Sequence, residues 1–484
     1  MTGEAHAQPV GDSPAPPAAV ASRGKPVPAD AAAASQARWL LLTVAVGTTL
    51  APLNSTMIAV ALPDIQLAFG VSVTATAWLV TIYLVAMAVG QPIGGRLGDL
   101  YGRRRVYLFG LAWFAVASAG CAFAPSLPVL ILFRTQQALA GALSFPNGGA
   151  LIREGIPDER RGSAFGTISM AAWIAAASGP PVGGLLVHWF GWAAIFWANV
   201  PVVALAIVLG VRSLPRPAPA ESGAKPQRER FDVLGSALFT ASLAAVIVVP
   251  ALVRLDRTVL AAVLVGAGLL IGLAFAIWEL RSRAPVVDIR LFRRPEFAAA
   301  CASVGMSNLV MYTTLLAMPL YLERVRGHDS RVTGLTLAAL SALSALGGPL
   351  GGRWTDRRGR VVPAVTGAIA LFTGAVALTA AAGNATLWPV AVALGGMGIG
   401  LGISGASVQA AAVESVPVRQ AGSASGMFST SRYLGSVIGS TALAIVFVNK
   451  PGPGASDRFV AVFAVLAIVA LAGIVVNTRI GSRE

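Results

Sequence analysis

The chain has 484 residues, of which 56% are hydrophobic and only 12% are charged. A soluble globular domain carries about 25% charged residues, so this chain has too little polar surface for a water-soluble particle. The formal net charge of +15 does not indicate nucleic-acid binding, because the basic residues lie in short runs between apolar blocks, as membrane topology places them.

The first predicted element is a disordered cytoplasmic tail, residues 1–37, which is rich in Ala and Pro and lacks the apolar core of a signal peptide. Fourteen apolar blocks follow. Each has about 20 residues, the length that an α-helix needs to cross a hydrocarbon core of roughly 30 Å. In chain order the predicted spans are Trp39–Ala61, Ala75–Ile93, Val106–Ala124, Val129–Ile152, Gly162–Val187, Trp192–Val211, Val233–Val253, Leu260–Trp278, Phe297–Tyr321, Thr333–Gly352, Val361–Ala382, Trp388–Val413, Gly422–Val448 and Phe459–Val476.

Polar segments divide these spans into groups. We predict an all-α integral membrane protein with two six-helix halves and an extra helix pair between them. The predicted parts are a first half at 38–212, a cytoplasmic linker at 213–232, the extra pair at 233–280, a second linker at 281–296, a second half at 297–478 and a short cytoplasmic tail at 479–484.

The basic residues predict the orientation. With the N-terminus inside, the inside segments hold 27 of the 36 Lys and Arg residues, and the outside segments hold seven. Cytoplasmic loops carry such an excess. The asymmetry therefore predicts an even number of spans with both termini in the cytoplasm.

One loop occurs twice. Gly95-Arg-Leu-Gly-Asp99-Leu-Tyr-Gly102-Arg103-Arg104 follows the second span, and Gly352-Arg-Trp-Thr-Asp356-Arg-Arg-Gly359-Arg360 follows the tenth. Each follows the second helix of a six-helix set. This repeat indicates two halves related as parallel repeats.

Further motifs accompany this loop along the chain. The fourth span carries Arg134, Gln137 and Gly141. The fifth carries Ser178-Gly-Pro-Pro-Val-Gly-Gly184, and Gly191–Pro201 leads into the sixth. Together these motifs resemble the major facilitator superfamily, and in particular its fourteen-helix drug:proton antiporters. Leu100 departs from the Arg usual after the loop aspartate.

The resemblance implies a major-facilitator-like bundle in the plasma membrane. It implies a monomer that exports drugs or lipophilic molecules by alternating access, usually in exchange for protons. An enzyme or an ATP-driven pump is not expected, because the chain lacks a phosphate-binding Gly-x-x-x-x-Gly-Lys-Ser/Thr loop and has only three lysines. No cofactor or metal is expected either, since the two cysteines lie inside apolar blocks and no clustered His accompanies them.

The repeated loops predict a gate. A carboxylate that faces the positive N-terminus of a neighbouring helix is stabilised there, and the arginines can pair with carboxylates that separate when the halves move apart. The alternative is a topology anchor, since Arg-rich loops fix orientation in any case. The predicted gating residues of these loops are Asp99, Gly102, Arg103, Arg104, Asp356, Arg357 and Gly359.

Small residues and prolines make the fifth span a second gating candidate. Gly179, Pro180, Gly183 and Gly184 permit a close, bendable helix contact, and ordinary tight packing is the alternative. Gly422/Gly426 and Gly435/Gly439 in the thirteenth span also have GxxxG spacing, and we interpret them as packing positions.

Arg134 is a cation inside a span, with Gln137 on the same helical face. A charge at this depth is expected to face the bundle interior and to organise a polar network, or else to snorkel toward the outer interface. Asn54 stands where the resembled antiporters usually carry an Asp. A buried carboxylate there would be the natural proton carrier, and Asn cannot titrate. The remaining acids near span ends are Asp64, Glu154 and Glu414.

A substrate cavity needs apolar walls with few polar groups. The predicted substrate or coupling residues are Asn54, Tyr83, Arg134, Gln137, Trp173, Asn308, Tyr312, Gln409 and Arg432. So few charges favour amphipathic or lipophilic substrates. The leading hypothesis is an exporter exchanging them for protons. The alternative is a facilitator or importer of a small metabolite without proton coupling.

Overall fold

A computed structural model describes residue 3 and residues 28–215, 231–249, 252, 257–282, 285–381, 387–447 and 455–481. The regular structure within these ranges is helical. Residues 1–2 and 4–27 of the predicted tail, and residues 216–230 of the first predicted linker, lie outside the described residues.

Six helices form the first half. They are α1 (Pro28–Phe69), α2 (Val73–Tyr101), α3 (Arg103–Ala122), α4 (Leu127–Gly155), α5 (Asp158–Phe190) and α6 (Ala194–Ser213). Helix α1 begins inside the segment predicted to be a tail. Helix α6 has two pieces, Ala194–Trp197 and Asn199–Ser213.

The extra pair and the second half follow in the predicted order. The pair is α7 (Val233–Ile247) and α8 (Thr258–Arg281). The second half comprises α9 (Pro295–Pro319), α10 (Ser330–Arg358), α11 (Val361–Ala381), α12 (Trp388–Glu414), α13 (Ala421–Phe447) and α14 (Ala455–Asn477). A short π-helical segment, Leu320–Val325, continues α9.

Within the described chain, 11 helices are long and apolar enough to cross a membrane. The other three are α4, α7 and α13. Helix α7 is shorter, Arg134 and Gln137 lower the hydropathy of α4, and Gly and Ser residues lower that of α13. The three exceptions therefore reflect length and interior polar residues, and they fit the predicted fourteen-helix bundle.

Two glycines explain why the repeated loops are so short. Gly102 has a φ of 95° and Gly359 a φ of 76°, which a residue with a Cβ rarely adopts. Each glycine N–H caps the preceding helix by donating to a carbonyl four residues back, Gly98 O or Thr355 O. The next helix begins directly afterwards. Many arginines lie at this end of the bundle, where α2, α4, α10 and α12 terminate, and we refer to it as the arginine-rich end.

The two halves meet along two matching helix pairs. Helix α2 packs against α13, and α5 packs against α10. Each pair joins the second helix of one half to the fifth helix of the other, so the interface has the two-fold character that the repeat predicts. Helix α4 also contacts α13, and α5 contacts α12.

The extra pair covers one of these interfaces. Leu243 and Phe239 of α7 pack against Val85 and Val89 of α2 and against Val437 of α13. At its arginine-rich end, Asp232 accepts a hydrogen bond from Trp278 Nε1 at 2.8 Å, which ties the start of α7 to α8. The pair therefore contacts both halves at the α2–α13 interface.

Close helix packing in the second half predicts a matched pair of substitutions in α12. A Cβ added to Gly400 would lie 2.6 Å from Gly367 O of α11, whereas one added to Gly396, one turn earlier, would meet nothing within 4 Å. Both changes to Ala gain helix propensity. Overpacking costs about 1–3 kcal/mol, so we expect Gly400→Ala to unfold at a lower temperature than Gly396→Ala in detergent. Equal unfolding temperatures would contradict this packing.

Candidate functional site

Asp99 joins α2 of the first half to α13 of the second. Its Oδ1 accepts a hydrogen bond from Gly422 N at 3.0 Å, and its Oδ2 accepts from Ser423 N and Ser423 Oγ, both at 2.8 Å. Gly422 and Ser423 lie in the first turn of α13, where backbone N–H groups and the helix dipole favour an anion. The Asp99 side chain is 2% exposed, so these bonds are shielded from water.

Asp356 repeats the arrangement in the opposite direction. Its Oδ1 accepts from Gly162 N at 2.7 Å, its Oδ2 accepts from Ser163 N at 2.9 Å, and Ser163 Oγ also donates to it. Gly162 and Ser163 lie near the start of α5. Each loop aspartate therefore binds the start of the fifth helix of the other half, and we call the two contacts the Asp99 latch and the Asp356 latch.

Ion pairs flank both latches. Arg103, which is 6% exposed, donates to Asp99 Oδ1 at 2.9 Å and to Glu154 Oε1 at 2.6 Å, and it also bonds to Val418 O of the other half. Arg360 pairs with Glu414 beside the Asp356 latch. Arg103–Glu154 and Arg360–Glu414 occupy corresponding places in the two halves.

A further contact holds the halves together at the same end. Arg153, at the end of α4, donates to Val413 O and, at 3.4 Å, to Glu414 O at the end of α12. Glycines let the backbones meet beside the latches: a Cβ added to Gly352 would lie 3.0 Å from Ser163 Cα. The arginine-rich end is thus closed in this conformation.

Not every predicted gating residue bridges the halves. Arg104 donates to Val211 O of α6 at 2.8 Å, inside the first half, and Arg357 is exposed. Gly102 and Gly359 shape the loop turns. Arg360, part of the quoted repeat but outside the predicted set, pairs with Glu414 inside the second half and does not bridge the halves either.

The glycine motif of α5 lies inside the first half. A Cβ added to Gly183 would be 3.1 Å from Met57 Cα of α1, and Gly179 faces Thr56 and Leu53 O of the same helix. Gly184 approaches Val60 more loosely, and Pro180 is exposed. The motif therefore brings α5 and α1 together and does not line the contact between halves.

Gly422 and Gly426, interpreted from the sequence as packing positions, lie at the contact between halves. Gly422 faces Gly95 O and the Asp99 carboxylate, and Gly426 faces Gln91 O and Pro92 of α2. Gly435 and Gly439 pack α13 against α9 within the second half, because they face Gly305 O and Leu309 O.

Arg134 lies in a buried network in the first half. The residue is 0% exposed, so it does not snorkel. Its Nη1 donates to Gln137 Oε1 at 2.7 Å, and the same oxygen accepts from Asn54 Nδ2 at 2.9 Å. Gln137 Nε2 donates to Ser118 Oγ at 2.7 Å. Asn54 thus reaches Arg134 through the shared Gln137 oxygen.

Aromatic rings complete the surroundings of Arg134. Its guanidinium carbon lies 4.1 Å from the centroid of the Tyr83 ring and 5.9 Å from that of Phe196. Such contacts stabilise a cation by about 2 kcal/mol or more when water is excluded. The chain places no Asp or Glu between residues 65 and 98 or between residues 100 and 153. Aromatic faces and amides, rather than a carboxylate, therefore surround this charge.

A second arginine, which is half-buried, approaches from the other half. Arg432 of α13 has its guanidinium carbon 5.7 Å from the Phe428 ring centroid, and it lies close enough to Tyr312 and Tyr433 to interact electrostatically. Tyr433 packs against the cluster that contains Tyr83. We call Arg134, Arg432, Tyr83, Tyr312 and Tyr433 the central cluster.

The remaining predicted residues, Trp173, Asn308 and Gln409, have contacts of other kinds. Trp173 of α5 packs against the apolar core of the second half. Asn308 bonds to Val304 O in its own helix at 2.9 Å. Gln409 lies toward the arginine-rich end, 3.7 Å from the position of a Cβ on Gly149. Trp173 and Gln409 therefore contact the opposite half, whereas the Asn308 side chain donates to a backbone carbonyl of its own helix.

Sequence reasoning missed both latch partners, although a signal existed. Gly162-Ser-Ala-Phe-Gly166 and Gly422-Ser-Ala-Ser-Gly426 are a second internal repeat, at the starts of α5 and α13. Tyr433 was missed because an aromatic residue in mid-span usually packs against neighbouring helices.

Comparison with known proteins is consistent with this geometry. The family model of the Major Facilitator Superfamily matches residues 44–440. The uncharacterized MFS-type transporter YwoD of Bacillus subtilis is 36% identical over 84% of this chain and 89% of its own length. The multidrug resistance protein Stp of Mycobacterium tuberculosis is 33% identical over 84% of this chain and 75% of its own. The tetracenomycin C resistance and export protein of Streptomyces glaucescens is 30% identical over 95% and 82%.

A solved structure shares the fold. The proton:xylose symporter XylE superposes with a TM-score of 0.66 over 91% of this chain and 95% of that chain, at 14% identity. Identity this low supports the helical architecture and carries nothing about substrate.

The latches predict a measurable opening of the arginine-rich end. Ser425, which is buried against Gly149, is a suitable reporter when changed to Cys in a Cys121→Ser/Cys301→Ser background. Hydrogen bonds to charged groups contribute about 1.5–3 kcal/mol, and about 1.4 kcal/mol is tenfold in an equilibrium. We expect Asp99→Asn or Asp356→Asn to raise the rate of maleimide labelling on the order of tenfold.

Asp329→Asn is the matched control, because Asp329 caps α10 within its own half by accepting from Val332 N at 2.8 Å. It removes a helix-capping carboxylate without touching the interface between halves. Equal labelling rates in all three variants would mean that the latches do not hold this end closed.

Proposed function

Because the chain belongs to the major facilitator superfamily, we propose that it exports amphipathic or lipophilic small molecules by alternating access of its two halves. The family consists of membrane transporters, so the chain is a multi-pass plasma-membrane transporter and not an enzyme. The substrate class, the direction of transport and the energy source are the parts that we propose.

The paired latches are the observation that carries alternating access. Both bridge the halves at one end of the bundle, and both consist of a carboxylate on the start of a helix. Hydrogen bonds of this kind break and re-form without unfolding either half, because each half keeps its own helix contacts. Breaking both would let the halves rock apart and open a path to the centre.

Direction is inferred from charge and from relatives. Positive loops favour the cytoplasmic side, so we propose that the arginine-rich end and both termini face the cytoplasm. Two relatives are named for multidrug resistance and for tetracenomycin C resistance and export. Export by a monomer, from a cytoplasmic opening to the outside, is the simplest function that agrees with both.

Proton exchange is what the family resemblance implies, and Asn54 bears directly on it. The amide at this position cannot titrate, and its Nδ2 donates a hydrogen bond to Gln137 Oε1. If protons drive transport here, Glu154 and Glu414 are the candidate carriers, since both form ion pairs beside the latches. The second candidate function, transport without proton exchange, is favoured by the absence of an acid in mid-span of this chain.

Efflux from proteoliposomes tests the function and its coupling together. We expect the protein to release amphipathic dyes faster than protein-free liposomes do. We also expect efflux to continue when nigericin collapses an imposed pH gradient, because no carboxylate is available in mid-span to carry protons. Asn54→Asp is expected to make efflux depend on the gradient, since it introduces a titratable group beside Gln137.

Two outcomes would change the proposal. Efflux by the wild-type protein that stops with the pH gradient would restore proton exchange and direct attention to Glu154→Gln and Glu414→Gln. A rate equal to that of protein-free liposomes for every dye would contradict export of amphipathic molecules.

A further inference from the structure

The centre of the bundle holds positive charge without negative charge. Arg134 and Arg432 lie within α4 and α13, and every Asp and Glu of the chain falls at a span end, in a loop or in a terminal segment. A cation at bilayer depth is costly and usually pairs with an acid or a backbone carbonyl. An arginine without an acid at this depth indicates a charge that something else neutralises.

Arg134 has N–H donors without a hydrogen-bond partner among the described residues. A guanidinium has five N–H donors in a planar fork that fits carboxylate and phosphate groups. Only Nη1 has a hydrogen-bond partner among the residues that the structure describes, and Nε and Nη2 have none. An unpaired buried charge is strongly disfavoured, whereas an anion on this edge would satisfy both nitrogens.

Arg432 offers the same chemistry from the opposite half. Its Nε also lacks a partner in the described part of the chain. Tyr312 and Tyr433 lie nearby, and Tyr433 reaches the Tyr83 cluster of the first half. A ligand in the central cluster would therefore meet a cation from each half and three aromatic rings.

Resting on the export function proposed above, we propose that the substrates are organic anions with an aromatic or otherwise apolar body. The central cluster binds the anionic group through Arg134 and Arg432, and the tyrosine rings contact the body. Aromatic rings alone would bind neutral molecules equally well. The two guanidinium groups, neither of which has a carboxylate partner among the described residues, make the difference.

If the substrate is an anion, the membrane potential can drive its export, and no proton carrier is needed. A cell interior is electrically negative, so the membrane potential favours outward movement of an anion. For a monovalent anion this corresponds to an outward gradient of about fifty-fold per 100 mV. This also explains why an Asn at position 54 suits the site. The carboxylate of an Asp there would neutralise the charge of Arg134 and compete with the anionic substrate.

Proteoliposomes with an imposed potential test this inference. The probes are coumarin-3-carboxylate, its uncharged carboxamide and the cation rhodamine 123, each loaded inside vesicles. A potassium gradient with valinomycin sets an interior-negative potential. The rate compared is efflux above that of protein-free vesicles. We expect this rate to be at least tenfold higher for the carboxylate than for the carboxamide. We also expect the carboxylate rate to be at least fivefold higher with the potential than without it.

Variants connect the charge preference to the site. Arg134→Gln and Arg432→Gln are each expected to slow carboxylate efflux at least tenfold and to lower the ratio of carboxylate efflux to carboxamide efflux. Asn54→Asp is expected to slow carboxylate efflux and speed rhodamine efflux. Arg212→Gln, which removes an exposed arginine from the last turn of α6, is the matched control for net charge.

The outcomes separate the inference from the function on which it rests. Equal efflux of all three probes, unaffected by Arg134→Gln and Arg432→Gln, would overturn the anion preference and leave export standing. Carboxylate efflux that ignores the potential would overturn the driving force. No efflux of any probe above protein-free vesicles would contradict both export and the anion preference. An unchanged unfolding temperature in detergent shows that a slow variant is folded.

Discussion

A carboxylate placed on the first turns of a helix from the other half is the contact on which this architecture depends. Asp99 and Asp356 each accept two backbone N–H groups and a serine hydroxyl across the interface. The partner groups are fixed by the helices that carry them, so the carboxylate meets donors already in position. The glycines beside each latch let the backbones approach. An ion pair accompanies each latch, since Arg103 pairs with Asp99 and Glu154, and Arg360 pairs with Glu414.

Charge is distributed differently at the arginine-rich end and at the centre of the bundle. Acids lie near the membrane surfaces, where those at the arginine-rich end form ion pairs and accept hydrogen bonds between the halves. Cations without acids lie at the centre, where Gln137 and aromatic rings surround Arg134. In the proposed cycle, the arginine-rich end supplies reversible contacts between the halves and the central cluster binds the substrate. The Asn54 amide keeps these roles separate, because it adds a hydrogen bond without adding charge.

Several parts of this arrangement were predictable. The fold class followed from apolar blocks of membrane-spanning length, and the repeated loop predicted two related halves and a carboxylate facing a helix start. The partner helix did not follow, since Gly422 and Gly162 are 323 and 194 residues from their aspartates. The Gly-Ser-Ala-x-Gly repeat at α5 and α13 held that information, but small residues also serve ordinary helix packing.

By itself, the sequence determined the number and order of the spans, the excess of basic residues on one side, and the lack of acids in mid-span. These are properties of composition along the chain. Only the tertiary structure decided that Gly183 faces α1 inside one half while Gly422 faces α2 of the other. It also decided that Arg134 binds Gln137 and has no carboxylate partner among the described residues. The reason is physical: a helix that is apolar on all sides can pack through any face. Its neighbours depend on how all fourteen helices fill space together.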